Sequence, residues 1–177
     1  MKNTALLVVD VQNGLMDEGP YQGEQVLRNI EALISVCREN EVEVVYVRHD
    51  GGKGSELEPG TRGFEICAQI SPQGREKIFT KTYNSAFLKT GLKDYLTKKG
   101  IRDIVLVGMQ TEYCIDSTCK TAFELGFRVM IPEGTFTTFD NGPLSGAELC
   151  EFYSSRIWNR RFATVISLQD LAKSISA

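Results

Sequence analysis

An α/β fold, with a mostly parallel sheet and helices on both of its faces, is predicted by three features of this 177-residue chain. Strand-like and helix-like segments alternate from one end to the other, as they do where crossover helices join parallel strands. The strand-like runs are short and almost continuously apolar, the mark of strands covered on both faces. Glycines stand where helical patterns stop, at Gly100 and Gly126. The composition, 42% hydrophobic and 24% charged, is that of an ordinary globular chain with enough length for a sizeable core.

Each element follows from its own pattern. Residues Thr4 to Val9 are the first strand. From Gln25 to Asn40, Val26, Ile30, Leu33, Ile34 and Cys37 recur at helical spacing. Val42 to Val47 is the second strand, and Ile78 with Phe79 marks a short third. Leu88 to Lys99 reads as a helix, Ile104 to Val107 as the fourth strand, and Glu112 to Leu125 as the helix that follows it. Arg128 to Ile131 and Ala163 to Ile166 complete the strands, with a helix over Leu144 to Trp158 between them. No repeat, low-complexity tract or linker divides the chain, so residues 1–177 are expected to form one domain.

Charge, cysteine usage and motif spacing exclude several functions. A net charge of -3 argues against a general nucleic-acid binder, which presents a basic face. No apolar run approaches the roughly 20 residues that span a bilayer, and the first strand begins too early to leave room for a signal peptide. A cytoplasmic protein is therefore expected. Cys37, Cys67, Cys114, Cys119 and Cys150 are odd in number and lack a CxxC pair, so reduced thiols are expected. One histidine, His49, and scattered thiols fall short of a zinc site. Gly51–Gly54 (GGKG) lacks phosphate-loop spacing, and no GxGxxG follows the first strand. No metal or organic cofactor is expected.

The chemistry-bearing residues sit at strand ends. Asp10, Lys81 and Cys114 close the patterns ALLVVD, EKIFTK and DIVLVGMQTEYC. Strand C-termini of a parallel sheet converge on one crevice, where a carboxylate, an ammonium and a thiol make an activated cysteine nucleophile. Cys114 lies where a strand hands over to a helix, so backbone N–H groups and the Lys81 cation are expected to lower its pKa. Asp10 could take the thiol proton and return it to a leaving group. Backbone amides of Tyr113 and Cys114 would form an oxyanion hole. Cys119 falls about 140° around the helix from Cys114 and is a poor rival. His49, Tyr83, Phe87 and Tyr113 are candidates to line a substrate pocket. The Gly-rich, charged stretch His49 to Gly63 follows the second strand directly, which favours a functional loop.

These segments resemble the isochorismatase-like cysteine hydrolase family, which includes nicotinamidases and N-carbamoylsarcosine amidases. ALLVVDVQNGL is similar to the family's opening strand, PGTRGFEI to its substrate-side loop, KTYNSAFLKTGLKDYLTKKGI to its lysine segment and VGMQTEYCIDSTCKTAFELGF to its nucleophile elbow. The resemblance implies Asp10 as acid/base, Lys81 as its electrostatic partner and Cys114 as nucleophile. It also implies a Rossmann-like three-layer α/β/α sandwich with a six-stranded sheet, a cis peptide at Met109–Gln110, and a homodimer or homotetramer. Metal-dependent nicotinamidases carry an Asp-x-His and a further His where this chain has RHDGGKGSELEPG, so their zinc site is expected to be absent. The implied reaction is hydrolysis of a small amide, ureide or carbamoyl compound through a thioester. The alternatives are a vinyl-ether hydrolase using Asp10 without a covalent intermediate, and a non-catalytic binding member of the fold.

Overall fold

The computed structural model of the protein describes residues 3–177. Its sheet has strands β1 (Thr4–Val9), β2 (Glu43–His49), β3 (Lys77–Lys81), β4 (Asp103–Met109), β5 (Arg128–Pro132), β6 (Phe136–Thr137) and β7 (Thr164–Ile166). All pairings are parallel, in the order β3-β2-β1-β4-β5-β7, with β6 added to β4. The seventh strand exceeds the six expected because β6 is a two-residue ladder, opposite Gly108 and Met109, too short to leave a pattern in the sequence.

The apolar runs of β1 and β4 are explained by burial on both faces. Alternate residues of β1 point to opposite sides, as strand geometry requires. Leu6 and Val8 join one core with Val26, Ile30, Leu33 and Ile34 of helix α2 (Gly23–Glu39; α1 is the single turn Asn13–Met16). Ala5, Leu7 and Val9 join the other with Leu92 and Leu96 of α3 (Leu92–Lys98), Cys119 and Ala122 of α4 (Asp116–Glu124), and the fully buried Trp158. Helix α5 (Gly146–Phe152) and the C-terminal α6 (Leu168–Ser176) complete the two outer layers. No helix among the described residues is long and apolar enough to cross a membrane.

Helix boundaries shift from the sequence reading for local reasons. The helix expected from Leu88 begins at Leu92, because Gly91 takes a left-handed φ of 78° and the Thr90 hydroxyl accepts from the Leu92 amide. The segment expected to be helical from Glu112 first makes a wider π-turn, Thr111–Ile115, in which the Ile115 amide reaches back five residues to the Gln110 carbonyl at 3.1 Å. The helix expected over Leu144 to Trp158 starts at a Ser145–Glu148 capping box, and its last turn widens in the same way over Tyr153–Trp158.

One glycine is required by the pairing of β1 with β4. Gly108 has φ 122°, and a Cβ there would lie 1.9 Å from the Val9 carbonyl oxygen, which is backbone and cannot move aside. Gly108→Ala is expected to lower stability by about 3 kcal/mol or more, read as a lower urea midpoint. An unchanged midpoint would show that the two strands are not held this closely.

Candidate active site

The strand order reverses direction at β1: one chain half leads outward through β2 and β3, the other through β4, β5 and β7. A crevice opens at such a switch point, beyond the strand C-termini. Asp10 follows β1 there, His49 ends β2, Lys81 ends β3 opposite His49, and Cys114 lies in the π-turn after β4. The adjacent Met109–Gln110 peptide is cis. Asp10 itself has φ 56°, a left-handed conformation that an aspartate tolerates better than most residues, and its amide donates to the Val47 carbonyl at 2.8 Å.

Lys81 is the centre of the cluster. Its Nζ lies 2.6 Å from Asp10 Oδ2, 2.9 Å from His49 Nδ1 and 3.2 Å from Cys114 Sγ. Asp10 and Lys81 are each 1% exposed, so their charges are compensated by each other rather than by bulk water. Asp10 Oδ1 is buried and accepts no hydrogen bond among the described residues. A buried carboxylate oxygen in that condition is ready to take a proton.

Burial pushes the Asp10 pKa up, against the pull of Lys81. The Cys114 thiol is pushed up to about 12, first by burial and then by the Asp10 charge, with Lys81 opposing. This reverses the expected lowering of the thiol pKa. The cation is present, but the thiol is partly buried and shares that cation with a carboxylate, so burial and the Asp10 charge outweigh the pull of Lys81. This balance favours a thiol over a thiolate beside the Asp10 carboxyl group. His49 is held below its usual range by burial and then by Lys81, which keeps the imidazole neutral.

Gln12 orders the rim. Fully buried, its side chain accepts from the His49 amide at 2.7 Å and donates to the carbonyls of His49 at 3.0 Å and Phe64 at 2.9 Å. It thereby fixes the end of β2 against the loop that follows. Sequence reasoning gave Gln12 no role, although it is the glutamine that follows the aspartate in the ALLVVDVQNGL segment that carries the family resemblance.

A cavity of about 190 Å³ is lined by Asp10, His49, Tyr113 and Cys114. It is completed by Leu15, Glu56, Leu57, Asn84 and Gln110, none of which was singled out as a pocket residue in the sequence. Glu56 and Leu57 come from the Gly-rich loop after β2, which thus supplies one wall. An adjoining cavity of about 430 Å³ shares Leu15, Glu56 and Gln110 and adds Glu18 and Phe139. Tyr83 and Phe87 are not among the lining residues. Phe87 stacks on Phe127 with ring centroids 5.9 Å apart, and the exposed Tyr83 accepts from Lys89 Nζ at 3.1 Å. The Tyr113 hydroxyl accepts from Asn141 at 2.9 Å, while its amide donates to the Gln110 carbonyl at 3.2 Å.

Asp10, His49 and Cys114 bring potential metal-ligand atoms within 4.8 Å of one another. The Lys81 ammonium already lies within hydrogen-bonding distance of all three, so a metal ion there would face a fixed positive charge. This donor set fits an ammonium better than a metal.

Comparison with known proteins follows the same lines. The chain is 34% identical over 138 residues to a streptothricin hydrolase of Streptomyces noursei, covering 77% of this chain but 50% of that protein. The chain therefore spans about half the length of that relative. It is 32% identical over 153 residues to nicotinamidase 3 of Arabidopsis thaliana, covering 78% of this chain and 75% of the other. A crystal structure of an isochorismatase family protein superimposes with a TM-score of 0.86 at 31% identity, covering 94% of this chain and 99% of that one. The isochorismatase domain model matches residues 4–170, nearly the whole chain, and on that match the protein belongs to the isochorismatase family.

Proposed function

We propose that this protein is a cysteine-dependent hydrolase acting on the C–N bond of a small amide, ureide or carbamoyl compound through a thioester. The observation that carries the reading is one buried ammonium, Lys81, bridging a carboxylate at 2.6 Å and a thiol at 3.2 Å beside a small cavity. The similarity to a nicotinamidase, an amide-hydrolysing enzyme by name, supports the same reaction class.

In this mechanism Asp10, made more basic by burial, takes the Cys114 proton as the sulfur attacks the substrate carbonyl carbon. Thiol and carboxylate are both raised, so the proton moves during attack and no thiolate has to accumulate beforehand. Backbone amides of the π-turn, assigned to Cys114 and Tyr113, stabilise the oxyanion; the Tyr113 amide must turn from its long bond to Gln110 to do so. Asp10 returns the proton to the departing amine. A water molecule, with Asp10 again as base, then cleaves the thioester. Lys81 balances the charge that passes between Asp10 and sulfur.

The test is ammonia release across a panel of primary amides and ureides, with acid-quenched protein examined by mass spectrometry. A turned-over substrate is expected to leave an acyl mass on the peptide containing Cys114. Turnover with no acyl mass at any time, combined with activity in a Cys114→Ala variant, would reject the covalent mechanism.

A further inference from the structure

A lysine ammonium has three N–H donors and no lone pair. Around Lys81 Nζ stand three acceptors, Asp10 Oδ2, His49 Nδ1 and Cys114 Sγ, at 2.6, 2.9 and 3.2 Å. The contact with His49 therefore has one direction: lysine donates and Nδ1 accepts. The neutral ring must then carry its proton on Nε2. The two-point clamp of Gln12 on the His49 backbone, at 2.7 and 3.0 Å, fixes the main chain from which the ring projects, and the Lys81 contact at 2.9 Å holds the ring. Nε2 has no hydrogen-bond partner among the described residues, and it is not one of the sealed-off polar atoms. His49 lines the cavity next to Cys114.

We propose that His49 Nε2–H is a specificity-determining donor, selecting amides that carry a second hydrogen-bond acceptor close to the scissile carbonyl. The proposal rests on the hydrolase reading of the same site. His49 touches one of the three polar atoms of the proton-transfer cluster through Nδ1, and presents to the substrate the opposite sense of hydrogen bond through Nε2. A substrate acceptor there satisfies a donor that an alkyl chain would leave unpaired, and a site with such a donor discriminates against the chain.

Two variants separate the ring's two contacts. In His49→Asn, Oδ1 stands in for Nδ1 and keeps an acceptor for Lys81, while the Nε2 donor is lost. In His49→Gln, the side-chain amide nitrogen stands in for Nε2 and keeps the donor, while the Nδ1 acceptor is lost. The probes are methoxyacetamide and butyramide, equal in heavy-atom count and differing by one ether oxygen. The readout is protection of Cys114 from iodoacetamide, followed by intact mass. In the unaltered protein, methoxyacetamide is expected to protect at a roughly tenfold lower concentration than butyramide. That ratio should survive in His49→Gln and fall to about one in His49→Asn. Equal protection by both probes in the unaltered protein, protection by neither, or a ratio unchanged in His49→Asn would overturn the assignment. Amide turnover through Cys114 without a His49-dependent ratio would sink the His49 proposal alone. A His49-dependent ratio without turnover of any amide would sink the hydrolase reading instead.

Discussion

Turnover is expected to fall by roughly 10⁴-fold or more when Cys114 is replaced with alanine, with the fold retained. Cys114 lies at the cavity wall and is only partly buried, so loss of its sulfur leaves a small space that water can enter rather than a closed void in the core. Cys119, Cys37 and Cys67 cannot substitute for it. They are buried in the two cores, and none of them lines the cavity beside Asp10. Serine at 114 should be nearly as inactive as alanine, because a hydroxyl is a far weaker acid than a thiol beside the same base. The measurement is kcat/KM for ammonia release with the urea midpoint as control. Activity within tenfold of the parent in Cys114→Ala, at an unchanged midpoint, would leave the sulfur without a catalytic role.

Asp10→Asn is expected to separate turnover from thiol reactivity, moving them in opposite directions. Removing the base should lower kcat/KM by roughly 10²- to 10⁴-fold. The same change deletes the Asp10 charge, which raises the Cys114 pKa, and leaves Lys81 opposed by burial alone. The thiol should become more acidic, and alkylation by iodoacetamide at fixed neutral pH should quicken. Each unit of lowering gives about tenfold more thiolate. Part of that gain is returned, since a less basic thiolate is a poorer nucleophile with a Brønsted coefficient of about 0.4–0.5. About a threefold faster labelling per unit is the net expectation. A preformed thiolate held by Asp10 and Lys81 together would give the other result, slower labelling in Asp10→Asn, and would refute the thiol-beside-base arrangement.

The direction of the Asp10 shift also fixes the acid limb of the activity profile. Asp10 must be ionised to accept a proton, and burial raises its pKa above 3.8. Activity should rise with pH through an apparent pKa above the ordinary carboxylate value, and the limb should disappear from the residual activity of Asp10→Asn. Linkage runs the opposite way for stability. A raised carboxylate pKa favours the folded state below 3.8, and that contribution is lost as pH climbs through the folded value.

The composition of the cluster was legible because each member is chemically unusual for its place. A carboxylate, an ammonium and a thiol follow apolar strands, and parallel topology carries strand ends to one edge whatever lies between them. Strand and helix alternation was legible because β1 and α2 have strong, different periods. Two residues of β6 carry no period, and Gly91 displaced the start of α3 by a conformational preference stronger than the apolar spacing that predicted it.

The sequence by itself determined the sheet, the two covered faces and the three residue types at its edge, since these depend on local periodicity and on chain direction. Only the tertiary structure decided the sign of the thiol shift, the pairing of His49 with Lys81, the role of Gln12, and the exclusion of Tyr83 and Phe87 from the cavity wall. The physical reason is common to all four. Each depends on how far groups lie from water and from one another across the fold, and desolvation and Coulomb energy are functions of that distance rather than of position along the chain.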